Sequence, residues 1–277
     1  MSKKMLLVDG HVHLYPNYDL ARALKIGIVN LERNGKELFQ NSEQFHGKMI
    51  ETTVNVLLLT ERFDCHFFDQ LRKFPLKFEN NGLKISQTAE QDAIRITSNQ
   101  QQVFYIIAGH QVVTVERLEI LALTTSLLIE DRKYSIGEVI EKVNDAGGIP
   151  VLNWAPGKWF FNRGKAVQQA FEQFSPQQVL IGDTSLRHTL WPEPRLMTRA
   201  RKAGFKVIAG SDPLPFAGEE SLIGSYGFSV KGAFDTEKPV TSLRKILRDE
   251  NTKISYIGKR NNVFTFAKRE AQIMANK

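Results

Sequence analysis

The chain has 277 residues, 42% hydrophobic and 24% charged, the balance of a globular protein able to bury a large core. A single cysteine, Cys65, excludes an internal disulfide framework, and no stretch approaches the roughly eighteen apolar residues that a membrane span needs. The net charge of +7 is dispersed over the chain, so it reads mainly as solvated faces; the partners it leaves open are a small anionic substrate and, on the basic balance alone, a nucleic acid.

The first segment, "MSKKMLLVDG", has too short an apolar run for a signal-peptide core, and the expected location is cytoplasmic. "MLLVDGHVHL" reads as a strand and "YDLARALKIGIVNLERNG" as a helix closed by its glycine. A strand at "TTVNVLLLT" and a short helix near "FFDQLRKF" follow. Between residues 80 and 125, "DAIRITS", "QVFYIIAG", "QVVTVE" and "LEILALT" are close-set strands, the pattern of a short antiparallel insertion. Alternation then resumes: helix "SIGEVIEKVNDAGG", strand "IPVLNW", helix "GKAVQQAFEQF", strand "QQVLIGD", helix "EPRLMTRARKAG" and strand "FKVIAGSD". The segment "TSLRKILRDE" is a last helix before the region that ends in "NVFTFAKREAQIMANK". Roughly six or seven strand–helix units without a linker predict an α/β fold, a distorted parallel TIM-like barrel of (β/α)7 type, as one domain over 1–277.

In an extended strand, residues two apart share a face, so Asp9, His11 and His13 are expected to project together from the end of the first strand. Two imidazoles on one rigid support are what a divalent metal needs, and the ends of barrel strands are where such folds carry their chemistry.

Later motifs resemble the PHP domain family (polymerase and histidinol phosphatase), in family order over roughly residues 5 to 213. "DAGGIPVLNWAP" is similar to its glycine turn and strand, "FKVIAGSDPLP" to its late strand ending in Gly-Ser-Asp, and "AGHQVVTVERLEILAL" to its middle hairpin. "LLLTER" sits where that family has Thr-Asp-His. The resemblance implies a distorted seven-stranded barrel, up to three metal ions and hydrolysis of phosphate esters, with residues 214–277 outside the matching motifs. His11 and His13 match the opening pair and Asp212 the aspartate of Gly-Ser-Asp. The chain departs from the family at Glu61 and Arg62, at Gln111, at Glu119, and at Trp154 and Leu214, so the resemblance supports one divalent ion (Zn, Mn or Fe) rather than three.

Two histidines and one aspartate suffice for one metal ion, with Glu61, Glu119, Asp183 or His188 open as further ligands. Asp212, if it does not ligate, and Glu119 are the candidate general bases. Lys158, Arg163 and Lys165, just before a predicted helix, form a candidate anion cradle, and Arg187 is a candidate clamp for a substrate oxyanion. Trp154, Trp159, Phe160 and Phe161 form an aromatic group for pocket or core. Asp64-Cys65-His66 lacks a supporting base or oxyanion motif, and neither His46 nor His66 has a partner pattern. The Gly- and Pro-rich "SDPLPFAGEESLIGSYGF" is expected to be a long loop over the mouth. The leading expectation is a metal-dependent hydrolase of a small anionic substrate, by resemblance a phosphoester. The alternative is a catalytically degenerate relative that binds a ligand or nucleic acid.

Overall fold

The computed structural model describes residues 3–40, 53–79 and 81–275; His46 lies outside them. The order of elements is β1 (Lys3–Val12), α1 (Leu20–Gln40), β2 (Thr53–Leu59), α2 (Phe67–Lys73), α3 (Leu76–Glu79), β3 (Leu83–Gln87), β4 (Ala93–Ser98), β5 (Val103–Ile107), β6 (Gly109–Val113) and β7 (Glu119–Leu123). There follow α4 (Ile136–Asp145), β8 (Ile149–Asn153), α5 (Phe161–Gln173), β9 (Leu180–Thr184), α6 (Arg195–Lys202), β10 (Val207–Gly210), β11 (Tyr226–Ala233), α7 (Pro239–Arg248), β12 (Ser255–Gly258) and α8 (Val263–Ala275).

The strands form two mixed sheets, not the predicted closed (β/α)7 barrel. One has seven strands in the order β12-β11-β1-β2-β5-β4-β3, and the other has five in the order β10-β9-β8-β7-β6. Parallel pairing joins β1, β2 and β5, and also β8, β9 and β10, while the remaining neighbours are antiparallel. The stretch from 80 to 125 is no insertion: β3 to β5 complete one sheet, β6 and β7 the other, and the chain changes sheet at Ala108. Strand–helix alternation is visible in a sequence, but sheet partnership is not. Moreover, β11 and β12 fall where the sequence suggested a loop and a carboxy-terminal region, and β11 takes the place beside β1.

The central strands of both sheets, β1, β2, β8 and β9, are covered on both faces, so nearly every residue along them is buried. From β1 and β2, Leu7, Leu57 and Leu59 face outward to α1 and α2. Leu6, Val8, Val56 and Leu58 face inward, against Leu121, Leu123, Val151 and Ile208 of the second sheet. Ile120, Ala122, Leu152 and Ile181 face the other outer layer, made with α4, α5 and α6. Helix α1 runs through Gly35 to Gln40 instead of stopping there. A Cβ at Gly35 would lie 2.4 Å from Leu7 Cδ1, so this glycine serves close packing on β1 and not helix termination.

The two sheets meet at two seams. At one, the Asp212 N–H donates to the His11 carbonyl at 2.9 Å. A Cβ at Gly210 would stand 2.3 Å from the His11 backbone nitrogen, so only glycine lets β10 pass this close to β1. At the other, the Glu61 N–H donates to Gly109 at 3.0 Å and the Gln111 N–H to Glu61 at 2.9 Å.

Candidate metal centre

The first seam assembles the group that the sequence singled out. His11 Nε2 and His13 Nε2 face each other at 2.9 Å, and Asp212 Oδ1 lies 3.5 and 3.7 Å from them. All three residues are buried. Their ligand atoms lie within 4.8 Å of one another, a His-His-Asp group of metal-binding composition. Asp9 does not join it, because a register shift between Asp9 and Val12 breaks the alternation of β1. Its carboxylate instead accepts the N–H and hydroxyl of Ser211 at 2.9 and 2.5 Å and the Gly224 N–H at 2.7 Å, binding the first strand to the chain beyond β10. Burial nevertheless raises the Asp9 carboxyl to about 6, against those stabilising bonds.

Burial lowers both imidazoles to about 4, and His13 is lowered further by His11 beside it. Both rings are therefore neutral near pH 7, the form that offers a lone pair. Burial raises Asp212, against the pull of His13. Asp212 also has φ of 50°, in the left-handed region that a non-glycine residue rarely occupies. Its backbone is held there from both sides, by the N–H bond to His11 and by Arg269 Nη2, which donates to the Asp212 carbonyl at 2.7 Å. Arg269, from α8, is buried, pairs with Glu219 at 2.7 Å and donates to Ser185 Oγ at 3.0 Å.

The donor set fits a divalent ion. Ligands about 2.0–2.2 Å from a tetrahedral ion stand about 3.3–3.6 Å apart, close to the His–Asp distances, so only the imidazole pair must open. His11 Nδ1 and His13 Nδ1 are buried without hydrogen-bond partners, and so is Asn153 Oδ1. The Gln111 and Asn153 side chains lie near His11.

Glu119 and Lys158 stand beside this group. Glu119 opens β7 opposite Asn153 on β8, forms an ion pair with Lys158 and accepts from Asn153 Nδ2 at 3.3 Å. Burial pushes the Glu119 carboxyl up, but Lys158, His11 and Asn153 together hold it below the ordinary carboxylate range.

The other expected site residues lie elsewhere. Asp183 is clamped by Arg187, with Nε to Oδ1 at 2.8 Å and Nη2 to Oδ2 at 2.5 Å, and it accepts from Tyr226 Oη at 3.0 Å. Arg187 is thereby engaged in the interior, and its Nη1 donates to Trp191. His188 packs against Trp191 and Phe266. Glu61 uses Oε1 to accept the N–H groups of Phe67 and Phe68 at 2.6 and 3.1 Å, at the start of α2. Arg62 is exposed and pairs with Asp64. Arg163 donates to the Gly157 carbonyl, and Lys165 is exposed on α5. Of the aromatic group, Trp154 and Trp159 are core, whereas Phe160 and Phe161 are exposed. Burial pushes the Cys65 thiol up to about 11, which makes it a poor nucleophile. The loop after Asp212 is pinned by Tyr18 Oη to the Leu214 carbonyl at 2.5 Å and by the Arg269–Glu219 pair.

Arg269, Tyr226, Ser211 and Tyr18 are supports that the sequence did not disclose. Their partners lie far off in the chain, and no local spacing signals them.

No family model matches the chain, and no curated protein matches it by sequence. Among solved structures it is similar to PsfC from Pseudomonas syringae PB-5123, at 14% identity and a TM-score of 0.55, over 94% of this chain and 93% of that one. A second likeness is to a two-domain protein from Bacteroides vulgatus ATCC 8482 containing a predicted PHP-like metal-dependent phosphoesterase. There the identity is 13% and the TM-score 0.45, over 92% of this chain and 65% of that one, so this chain spans less than two thirds of its length. The likeness to PsfC is one of fold. Among the described residues, no helix is long and apolar enough to cross a membrane.

Proposed function

We propose that the protein is a metal-dependent hydrolase of a small anionic substrate, with a phosphoester the first candidate. The observation that carries this reading is the buried convergence of His11, His13 and Asp212, neutral imidazoles with a carboxylate and no competing cation bonded to them. A divalent ion held there supplies Lewis acidity toward a substrate oxygen and lowers the pKa of water. His11 and His13 bind it as neutral donors, and Asp212 contributes negative charge from a fixed backbone. In this reading Glu119, ionised and near His11, accepts a proton, and Lys158, its ion-pair partner, turns to the substrate's anionic group once Glu119 is protonated.

The test is elemental analysis of chelator-free protein beside a His11→Ala/His13→Ala variant, followed by a panel of phosphomonoesters and phosphodiesters. About one equivalent of Zn, Mn or Fe in the parent, lost in the variant, with ester turnover that follows the metal, is the expected result. Metal without turnover of any ester would move the reading to a metal-bearing binding protein. A folded parent that takes up no metal at this group would overturn it.

A further inference from the structure

The second seam holds another arrangement of donors. A cavity of about 70 Å³ opens between the end of β2, β6 and α2, lined among others by Glu61, His66, Asp69, His110 and Ser126. That is room for an ion with a water or two, since a water's share of liquid volume is about 30 Å³. His110 is only 7% exposed, and its Nδ1 is buried with no hydrogen-bond partner. A buried unpartnered nitrogen is a cost that a folded protein normally removes. Glu61 is buried beside it, joined to His110 through a bridge between the strands. Its Oε1 is occupied by the two helix N–H groups, and among the described residues no hydrogen bond engages Oε2. His66 is exposed at the start of α2 and makes no side-chain cap bond, so its ring is free to turn.

We propose that this cavity is a second divalent-cation site, in which His110 Nδ1, the Glu61 carboxylate and His66 hold a transition-metal ion such as Zn²⁺. Imidazole with carboxylate is the donor set that such ions accept, and the lining offers little else for a ligand so small. These donor atoms do not all lie within 4.8 Å of one another as those of His11, His13 and Asp212 do, so binding draws the exposed His66 inward. Bound there, the ion would tie β2, β6 and α2 together where the sheets meet. The site shares no ligand with the first and does not depend on it.

The experiment is equilibrium dialysis of the chelator-stripped full chain against Zn²⁺. It is run on the parent, on a His11→Ala/His13→Ala variant, and on that variant carrying His66→Ala or His110→Asn. The double variant is expected to retain about one equivalent, and either added substitution to weaken that binding at least about tenfold. Because His66 is exposed, His66→Ala should leave the far-ultraviolet dichroism unchanged. A double variant that takes up no Zn²⁺, or one whose affinity is indifferent to both added substitutions, overturns the seam site. Equal uptake of a single equivalent by parent and double variant, lost on adding His66→Ala, would support this site and count against the first. If the double variant does not fold, the parent is compared with His66→Ala alone. Loss of one of two equivalents supports the proposal, and unchanged uptake overturns it.

Discussion

Asp183 and Asp212 follow each other at the ends of adjacent parallel strands, both almost wholly buried at 1% and 7% exposure, yet they are treated in opposite ways. Asp183 meets a guanidinium in a two-pronged pair and a tyrosine hydroxyl, which satisfies its charge inside the protein. Asp212 has two neutral imidazoles before it and no side-chain donor of positive charge bonded to its carboxylate. A buried carboxylate that the fold pairs with a cation is structural, and one left without a bonded cation is the candidate for a ligand site.

The largest stability effect should come from Asp183→Ala, which strands Arg187 in the interior. We expect a loss of about 3–5 kcal/mol in unfolding free energy by denaturant titration. A loss below about 1 kcal/mol would show that Arg187 escapes to solvent and that the contrast is weaker than drawn.

Glu61 gives a smaller and pH-dependent effect. Burial raises its carboxyl from 4.5 to about 7 against the helix N–H bonds, so the folded protein holds the proton more tightly than the unfolded chain between those values. The contribution of this group therefore falls as pH rises from about 4.5 to about 7. In metal-free protein, Glu61→Gln should match the parent near pH 4.5 and gain on it by at most about 3 kcal/mol above pH 7. Parallel stability curves across that window would refute the raised pKa. The comparison must be made as a difference between the two proteins, because His11 and His13, lowered by burial, give a slope of opposite sign between about 4 and 6.5.

Asp212→Asn should have the smallest effect on stability, within about 1 kcal/mol of the metal-free parent, because the backbone bonds that fix residue 212 survive. Metal affinity should nevertheless fall by at least about tenfold. A strongly destabilised variant would place Asp212 with Asp183 among the structural carboxylates.

Much of the candidate site was legible in the sequence because its signal is local. The i,i+2 histidine pair ends an apolar run, and Gly-Ser-Asp ends another; the structure brings these two strand ends together. The roles of Asp183 and Arg187 were not legible, because the letters that suit a metal or phosphate also suit a salt bridge four residues apart. Only Tyr226, supplied by a strand read as loop, completes that arrangement. The closed barrel failed for a related reason. Periodicity shows that a segment is a strand buried on both faces, but whether β1 adjoins β11 or β10 depends on where the chain returns from.

The buried Arg269 has a bearing on how the protein is made. His11 belongs to the first strand, Asp212 follows the tenth, and the arginine that holds the Asp212 carbonyl arrives with α8. Contacts so far apart in sequence are expected to form late in folding. During synthesis the two histidines emerge long before their carboxylate is fixed, so tight metal uptake at this group would report that α8 has docked.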